Sequence, residues 1–209
     1  MRPADLDAVT IDAYGTLVQL ADPVPALTGG LRDLGVECDA AAVQRAFAKE
    51  VAYYREHSHE GRDDATLHAL RRDCVAVILD DLGSEEIDPG TFVEGFVEAM
   101  RFELLPLAGE MVERLRRLGL ELAVVSNWDI GLREHLQSLG LDGVTVVTSA
   151  AAGAPKPDPA VFLLALERLG VRPERALHVG DSEADEEGAR AAGMDFAPAP
   201  LERAVEQLT

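Results

Sequence analysis

The sequence predicts a doubly wound, parallel-sheet α/β core into which an all-helical segment is inserted. Three observations predict it. Short, uniformly apolar runs recur along the chain, and each ends in a polar residue. Amphipathic helical patterns separate those runs. One long stretch, from about residue 19 to about residue 100, carries helical patterns alone. Uniform apolarity with β-branched side chains suits strands buried on both faces of a parallel sheet. Alternation of such strands with helices winds them into one open sheet.

The first run is AVTID (8–12), followed by the turn sequence AYGT. Residues 24–34, 41–56, 64–82 and 89–100 then read as four helices. The expected division is therefore a helical domain over 19–100 and an α/β core made of 1–18 and 101–209. Helix 108–118 sets Met111, Val112 and Leu115 on one face. LAVVSN (122–127) is a strand, and 130–139 repeats apolar positions at Leu132, Leu136 and Leu139. VTVVTS (144–149) is the next strand. Residues 158–169 open with PDP and close before Gly170, the start and stop signals of a helix. ALHVGD (176–181) is the last expected strand, and an alanine-rich helix over 183–192 ends at Gly193.

Composition excludes several function classes. A chain of 209 residues buries roughly 70% of its unfolded surface, so it needs neither disulfides nor a structural metal. Its net charge of −19 repels nucleic acid and anionic membrane. The same field repels an anionic substrate, which demands local positive charge or a cation at any phosphate site. Cys38 and Cys74 form no C-x-x-C pair and read as reduced thiols. The opening MRPADLDAVTID carries acids where a signal peptide needs an apolar stretch, and no apolar run nears the ~20 residues of a membrane span. The expectation is a cytoplasmic protein.

Ligands of an open parallel sheet bind at the carboxyl ends of its strands. The polar residues closing three of the runs are Asp12, Ser126 and Asp181, so the fold gathers them at one edge. Each alone could merely cap a turn; together they define a site. Asp12 is the candidate nucleophile, since a carboxylate can divide a hard displacement into two easier ones. Gly15 permits close backbone approach, and Thr16 offers a hydroxyl. Ser126 and Asn127 stand where a strand hands over to a helix and can seat an oxyanion. Trp128 follows them, either as a pocket wall or as packing for the helix start. Lys156 lies between prolines in GAPKPDP, one of only two lysines against 17 arginines. A compact ammonium there suits a place between a carboxylate and a transferring oxyanion. Asp181 and Asp185, converging on Asp12, would repel one another unless joined by a hard cation such as Mg²⁺. His57, His59 and His68 lack further ligands and read as surface or packed residues. Arg45, Tyr54 and Arg55 are candidates to reach over the site. His135 and His178 read as structural.

These segments, in this order, resemble the haloacid dehalogenase superfamily of hydrolases. The resemblance rests on DAYGT (12–16), Ser126 of VVSN, Lys156 of KPDP, and Asp181 with Asp185 of GDSEAD. It implies a Rossmann-like core with a small helical cap inserted after the first motif. It implies Asp12 as nucleophile, Ser126 as a phosphoryl-oxygen ligand and Lys156 as charge stabiliser. It also implies Mg²⁺ held by Asp12, Asp181 and the Tyr14 backbone carbonyl, with Asp185 in support. Tyr14, Gly15, Asn127 and Trp128 are the candidate substrate contacts.

Tyr14 departs from the pattern of the family's phosphatases, which carry an acid/base aspartate there. The haloacid dehalogenases carry D-x-Y-G-T, need no metal, and lack the counterpart of Asp181. Three readings follow: a Mg²⁺-dependent phosphohydrolase of a small phosphate ester or acyl phosphate, a metal-independent 2-haloacid dehalogenase, or a binding protein on the same fold.

Overall fold

A computed structural model describes residues 6–208. The chain divides into two compact units, one of residues 20–102 and one of the residues on either side.

The core begins with β1 (Ala8–Ile11), buried throughout, and a short β2 (Val18–Leu20). The helical unit then contains α1 (Val24–Asp33), α2 (Ala40–His57), α3 (Asp64–Asp81) and α4 (Val93–Ala99). Its start signals are local. Asp39 accepts a bond from the Ala42 N–H at 2.8 Å and caps α2, while Asp63 and Thr66 form a capping box on α3. Residues 89–100, expected as one helix, are a 3₁₀ turn at Pro89–Phe92 followed by α4. Asp88 caps the turn, and Pro89 fits the first position of a helix. Leu27, Leu31, Val43, Cys74, Val75, Ile78 and Phe96 are among the buried residues of this unit's core.

The chain returns through β3 (Phe102–Leu104), paired with β2. The α/β unit continues with α5 (Ala108–Arg117), β4 (Glu121–Ser126), α6 (Leu132–Ser138), β5 (Thr145–Thr148), α7 (Ser149–Ala152), α8 (Ala160–Leu169), β6 (Ala176–Gly180), α9 (Glu183–Ala191), β7 (Asp195–Pro198) and α10 (Leu201–Gln207). The sheet runs β5-β4-β1-β6-β7, with every neighbour parallel. Helices flank it, as the sequence predicts for a doubly wound fold. From β1 the chain steps outward to β4 and β5, then returns to the other side of β1 for β6 and β7. The direction of winding reverses at β1, and Asp12 follows directly on that strand.

Register fixes which side chains meet. Thr10 lies opposite His178 of β6, and Ile11 opposite Val179. Alternate residues Ala8, Ala123, Val125, Val147 and Ala176 turn one face toward Val161, Phe162 and Ala165 of α8 and Ala189 of α9. The sequence reading omits β2, β3, α7, β7 and α10. β7 (DFAP) is a half-exposed edge strand with a proline, so it lacks the buried apolar signature. Among the described residues no helix is long and apolar enough to cross a membrane.

Glu50 of α2 is 3% exposed. Burial pushes its carboxyl up from an ordinary 4.5 to about 7, against a weaker opposing hydrogen bond with Cys74 of α3. A raised carboxyl binds its proton more tightly in the folded chain than in the unfolded one. Stability is therefore complete below about pH 4.5 and is lost as pH rises through about 7, by about 3 kcal/mol. Thermal melts of wild type and Glu50→Gln across pH 4–8 check this. The difference between the two should grow in the variant's favour up to pH ~7 and then level off.

Candidate active site

The site is assembled at the carboxyl ends of β1, β4 and β6. Asp12 follows β1, its N–H bonded to the Val179 carbonyl at 2.9 Å, and its side chain is buried. Ser126 Oγ donates to Asp12 Oδ1 at 3.0 Å. Lys156 Nζ donates to the same oxygen at 2.5 Å, to Asp185 Oδ1 at 2.6 Å and to the Val125 carbonyl at 3.2 Å. An ammonium has three protons, and these three acceptors take all of them. The Lys156 side chain is 4% exposed.

Burial pushes the Asp12 carboxyl up, and Asp185 adds to the rise against the pull of Lys156. Lys156 is pushed up as well: burial disfavours its charge, but Asp12 and Asp185 outweigh that and hold it protonated. Asp185 would be raised by burial too. The His178 hydrogen bond and the Lys156 charge overcome that and hold it well below the usual carboxylate range.

Local sequence explains the seat of Asp185. Ser182 caps α9, accepting from the Asp185 N–H at 3.3 Å. In return Asp185 Oδ2 accepts from the Ser182 N–H at 3.1 Å and the Ser182 hydroxyl at 2.5 Å. S-E-A-D is thus a capping box with aspartate in the third position. With Lys156 and His178 on Oδ1, four donors occupy a carboxylate that has about four acceptor positions. Asp185 is thereby held firmly against Lys156.

Asn127 also serves Lys156. Its Oδ1 accepts from the Lys156 N–H at 2.7 Å, and its Nδ2 donates to the Lys156 carbonyl at 3.2 Å. The side chain expected to touch substrate is a two-point clamp on the lysine's backbone. Trp128 packs beside the start of α6. It is buried, its ring 6.2 Å from that of His135, and its backbone is bonded to Ser149 Oγ.

The turn after Asp12 bears out a special need for glycine. Gly15 has φ +85°, and a Cβ there would lie 2.1 Å from Asp181 Oδ2. Tyr14 is 47% exposed, and Thr16 Oγ1 is buried with no hydrogen-bond partner among the described residues. Candidate ligand oxygens of Asp12, Asp181 and Asp185 lie within 4.8 Å of one another. Three carboxylates against one ammonium leave two negative charges in excess. An all-oxygen donor set with that deficit fits a hard divalent cation.

Sequence reasoning placed Asp12, Ser126, Lys156, Asp181 and Asp185, and the structure brings them together. It read His178 as structural and did not single out Thr10 or Ser182. The signals were a lone polar residue inside the apolar run ALHVG and the S-x-x-D spacing before a helix. Arg45, named as a candidate to reach over the site, bonds Asp81 of α3 at 3.2 Å.

A family model described as haloacid dehalogenase-like hydrolase matches residues 6–193. The chain is 34% identical over 204 residues to haloacid dehalogenase-like hydrolase domain-containing protein 3 of Mus musculus, covering 89% of this chain and 78% of that protein. It is 31% identical over 204 residues to a phosphoglycolate phosphatase of Rhodospirillum rubrum, covering 90% and 76%. Its fold is similar to that of a defluorinating L-2-haloacid dehalogenase, with a TM-score of 0.70 at 21% identity over 91% of this chain and 80% of that one. The chain is a hydrolase. It belongs to the haloacid dehalogenase-like family.

Asn127→Ala should lower kcat about tenfold, the low end of what losing a supporting contact costs, with KM little changed and the melting temperature slightly reduced. Steady-state kinetics and a thermal melt check it.

Proposed function

We propose that this chain is a cytoplasmic, Mg²⁺-dependent phosphohydrolase acting on a small phosphate ester or acyl phosphate through an aspartyl-phosphate intermediate. The observation that carries this reading is the charge imbalance at the site: Asp12, Asp181 and Asp185 stand against Lys156 alone. Asp12, Asp181 and the Tyr14 carbonyl would hold the cation, which would neutralise charge on the phosphoryl oxygens. Asp181 has no evident purpose in a metal-free dehalogenase. The phosphatase name of the Rhodospirillum rubrum relative points the same way, whereas the likeness to the dehalogenase structure is one of fold.

Ser126 and Lys156 both bond Oδ1 of Asp12, which leaves Oδ2 to attack. An oxygen–phosphorus bond forms at Asp12 as the bond from phosphorus to the leaving oxygen breaks. Lys156 then faces the negative charge of the transferring phosphoryl group. Water next attacks phosphorus, breaks its bond to Asp12 and restores the carboxylate. The Thr16 hydroxyl, buried and unpaired among the described residues, lies in the same turn as Asp12 and would reach a phosphoryl oxygen only by turning toward the site.

Tyr14 favours a second reading, the 2-haloacid dehalogenase, in which Asp12 would attack carbon and expel halide. A panel of phosphate esters, acyl phosphates and 2-haloacids, each with Mg²⁺ and with chelator, separates the two. Phosphate release should require Mg²⁺, and Asp12→Asn should abolish it because an amide is not a competent nucleophile. Halide release from 2-chloropropionate in chelator would establish the second reading instead.

Tyr14→Asp supplies the missing proton donor. It should raise kcat/KM for alkyl phosphates relative to aryl phosphates, by less than the ~10²–10⁴ of a well-placed general acid. Crowding of Asp12 by a new carboxylate works against the gain. The ratio of the two kcat/KM values in wild type and variant is the measurement, and an unchanged ratio removes Tyr14 from the role of absent acid.

A further inference from the structure

His178 is fully buried in the middle of β6, a strand otherwise apolar. Phe162 of α8 meets its ring edge-on at 4.9 Å between centroids, and Phe196 of β7 lies on another side at 6.3 Å. A ring in such a place costs desolvation unless both nitrogens are bonded. Both are. Nδ1 lies 2.8 Å from Thr10 Oγ1, its cross-strand neighbour in β1. Nε2 lies 3.0 Å from Asp185 Oδ1.

The partners decide where the proton is. Asp185 accepts from the Lys156 ammonium and from the N–H and O–H of Ser182. A carboxylate with those donors is ionised and has no proton to give. Nε2 must therefore carry the hydrogen and donate it. Nδ1 is then the acceptor, and the Thr10 hydroxyl donates to it. Burial of the ring favours the neutral form and, with the Lys156 cation, outweighs the opposing pull of Asp185 and Asp12.

The bond from His178 controls an oxygen that matters. Asp185 Oδ1 is the oxygen that holds Lys156, and Lys156 holds the nucleophile. Ser182 pins only Oδ2. A carboxylate fixed at one oxygen can still turn about it; a second donor at Oδ1 stops that rotation. The same donor spreads the negative charge of Asp185, so the ammonium is not drawn wholly away from Asp12.

We propose that His178 is a positioning residue: held by Thr10 with its proton on Nε2, it fixes the Asp185 oxygen that seats the Lys156 ammonium beside Asp12. The inference rests on the catalytic reading above for its effect on turnover, but not for its effect on Lys156.

The test uses His178→Gln, whose amide nitrogen can replace Nε2 as donor, His178→Leu, which has no donor, and Thr10→Val, which keeps shape and removes the hydroxyl. Lysine labelled with ¹⁵N reports on Lys156 directly, because the chain has two lysines and the other, Lys49, is 61% exposed. Its ammonium resonance should move in His178→Leu and Thr10→Val and stay near the wild-type position in His178→Gln. With p-nitrophenyl phosphate and Mg²⁺, kcat should fall ~10–100-fold in His178→Leu, with KM nearly unchanged, and recover in His178→Gln. Long-range ¹H–¹⁵N spectra of labelled histidine should show His178 as the Nε2–H tautomer, assigned by its loss in His178→Gln. A Lys156 resonance unmoved in folded His178→Leu, or an Nδ1–H tautomer, overturns the proposal. If His178→Leu does not fold, Thr10→Val and the tautomer decide. If wild type turns over no phosphate, the functional reading fails and the two resonance measurements still decide this one.

Discussion

One buried cation organises the α/β unit's working edge. Lys156 brings a full charge out of water, at a penalty of several kcal/mol for an unpaired ion, and is tolerated only because Asp12 and Asp185 meet it at 2.5 and 2.6 Å. The dependence is mutual. Without the ammonium, two buried carboxylates would face each other uncompensated. The packing of this edge and the charge state of Asp12 therefore draw on the same contacts, and neither can be altered without strain on the other.

Each part of the chain contributes to that ion pair by ordinary local rules. Parallel register sets Thr10 beside His178. A capping box at the start of α9 orients Asp185. The reversal of winding at β1 puts Asp12 between the ends of β4 and β6. Asn127, at the end of β4, grips the backbone of Lys156 by both its polar atoms. Nothing in this arrangement is specific to phosphorus or carbon. Asp181 closes in on the turn from the end of β6: its Oδ2 occupies the space that any side chain at residue 15 would need.

The sheet and the principal site residues were legible because they follow from periodicity and strand direction. Buried strands announce themselves as apolar runs, and their polar ends fall at one edge. β7 was not legible, since DFAP is half-exposed and carries a proline. The roles of Asn127 and His178 were not legible for a different reason. An asparagine after a strand looks the same whether it holds a ligand or a backbone 29 residues away. A histidine in a strand looks structural until the register names its neighbours. Pairwise contacts between distant segments are what the one-dimensional pattern lacks.

The enclosure of Lys156 has a practical side. Amine-directed reagents need an exposed, deprotonated amine. The side chain of Lys49 is 61% exposed, whereas Lys156 is sealed and held as ammonium. With no third lysine in the sequence, side-chain acylation is confined to one position in α2. A dye, a biotin or a solid support can be attached there while the lysine that holds Asp12 goes untouched.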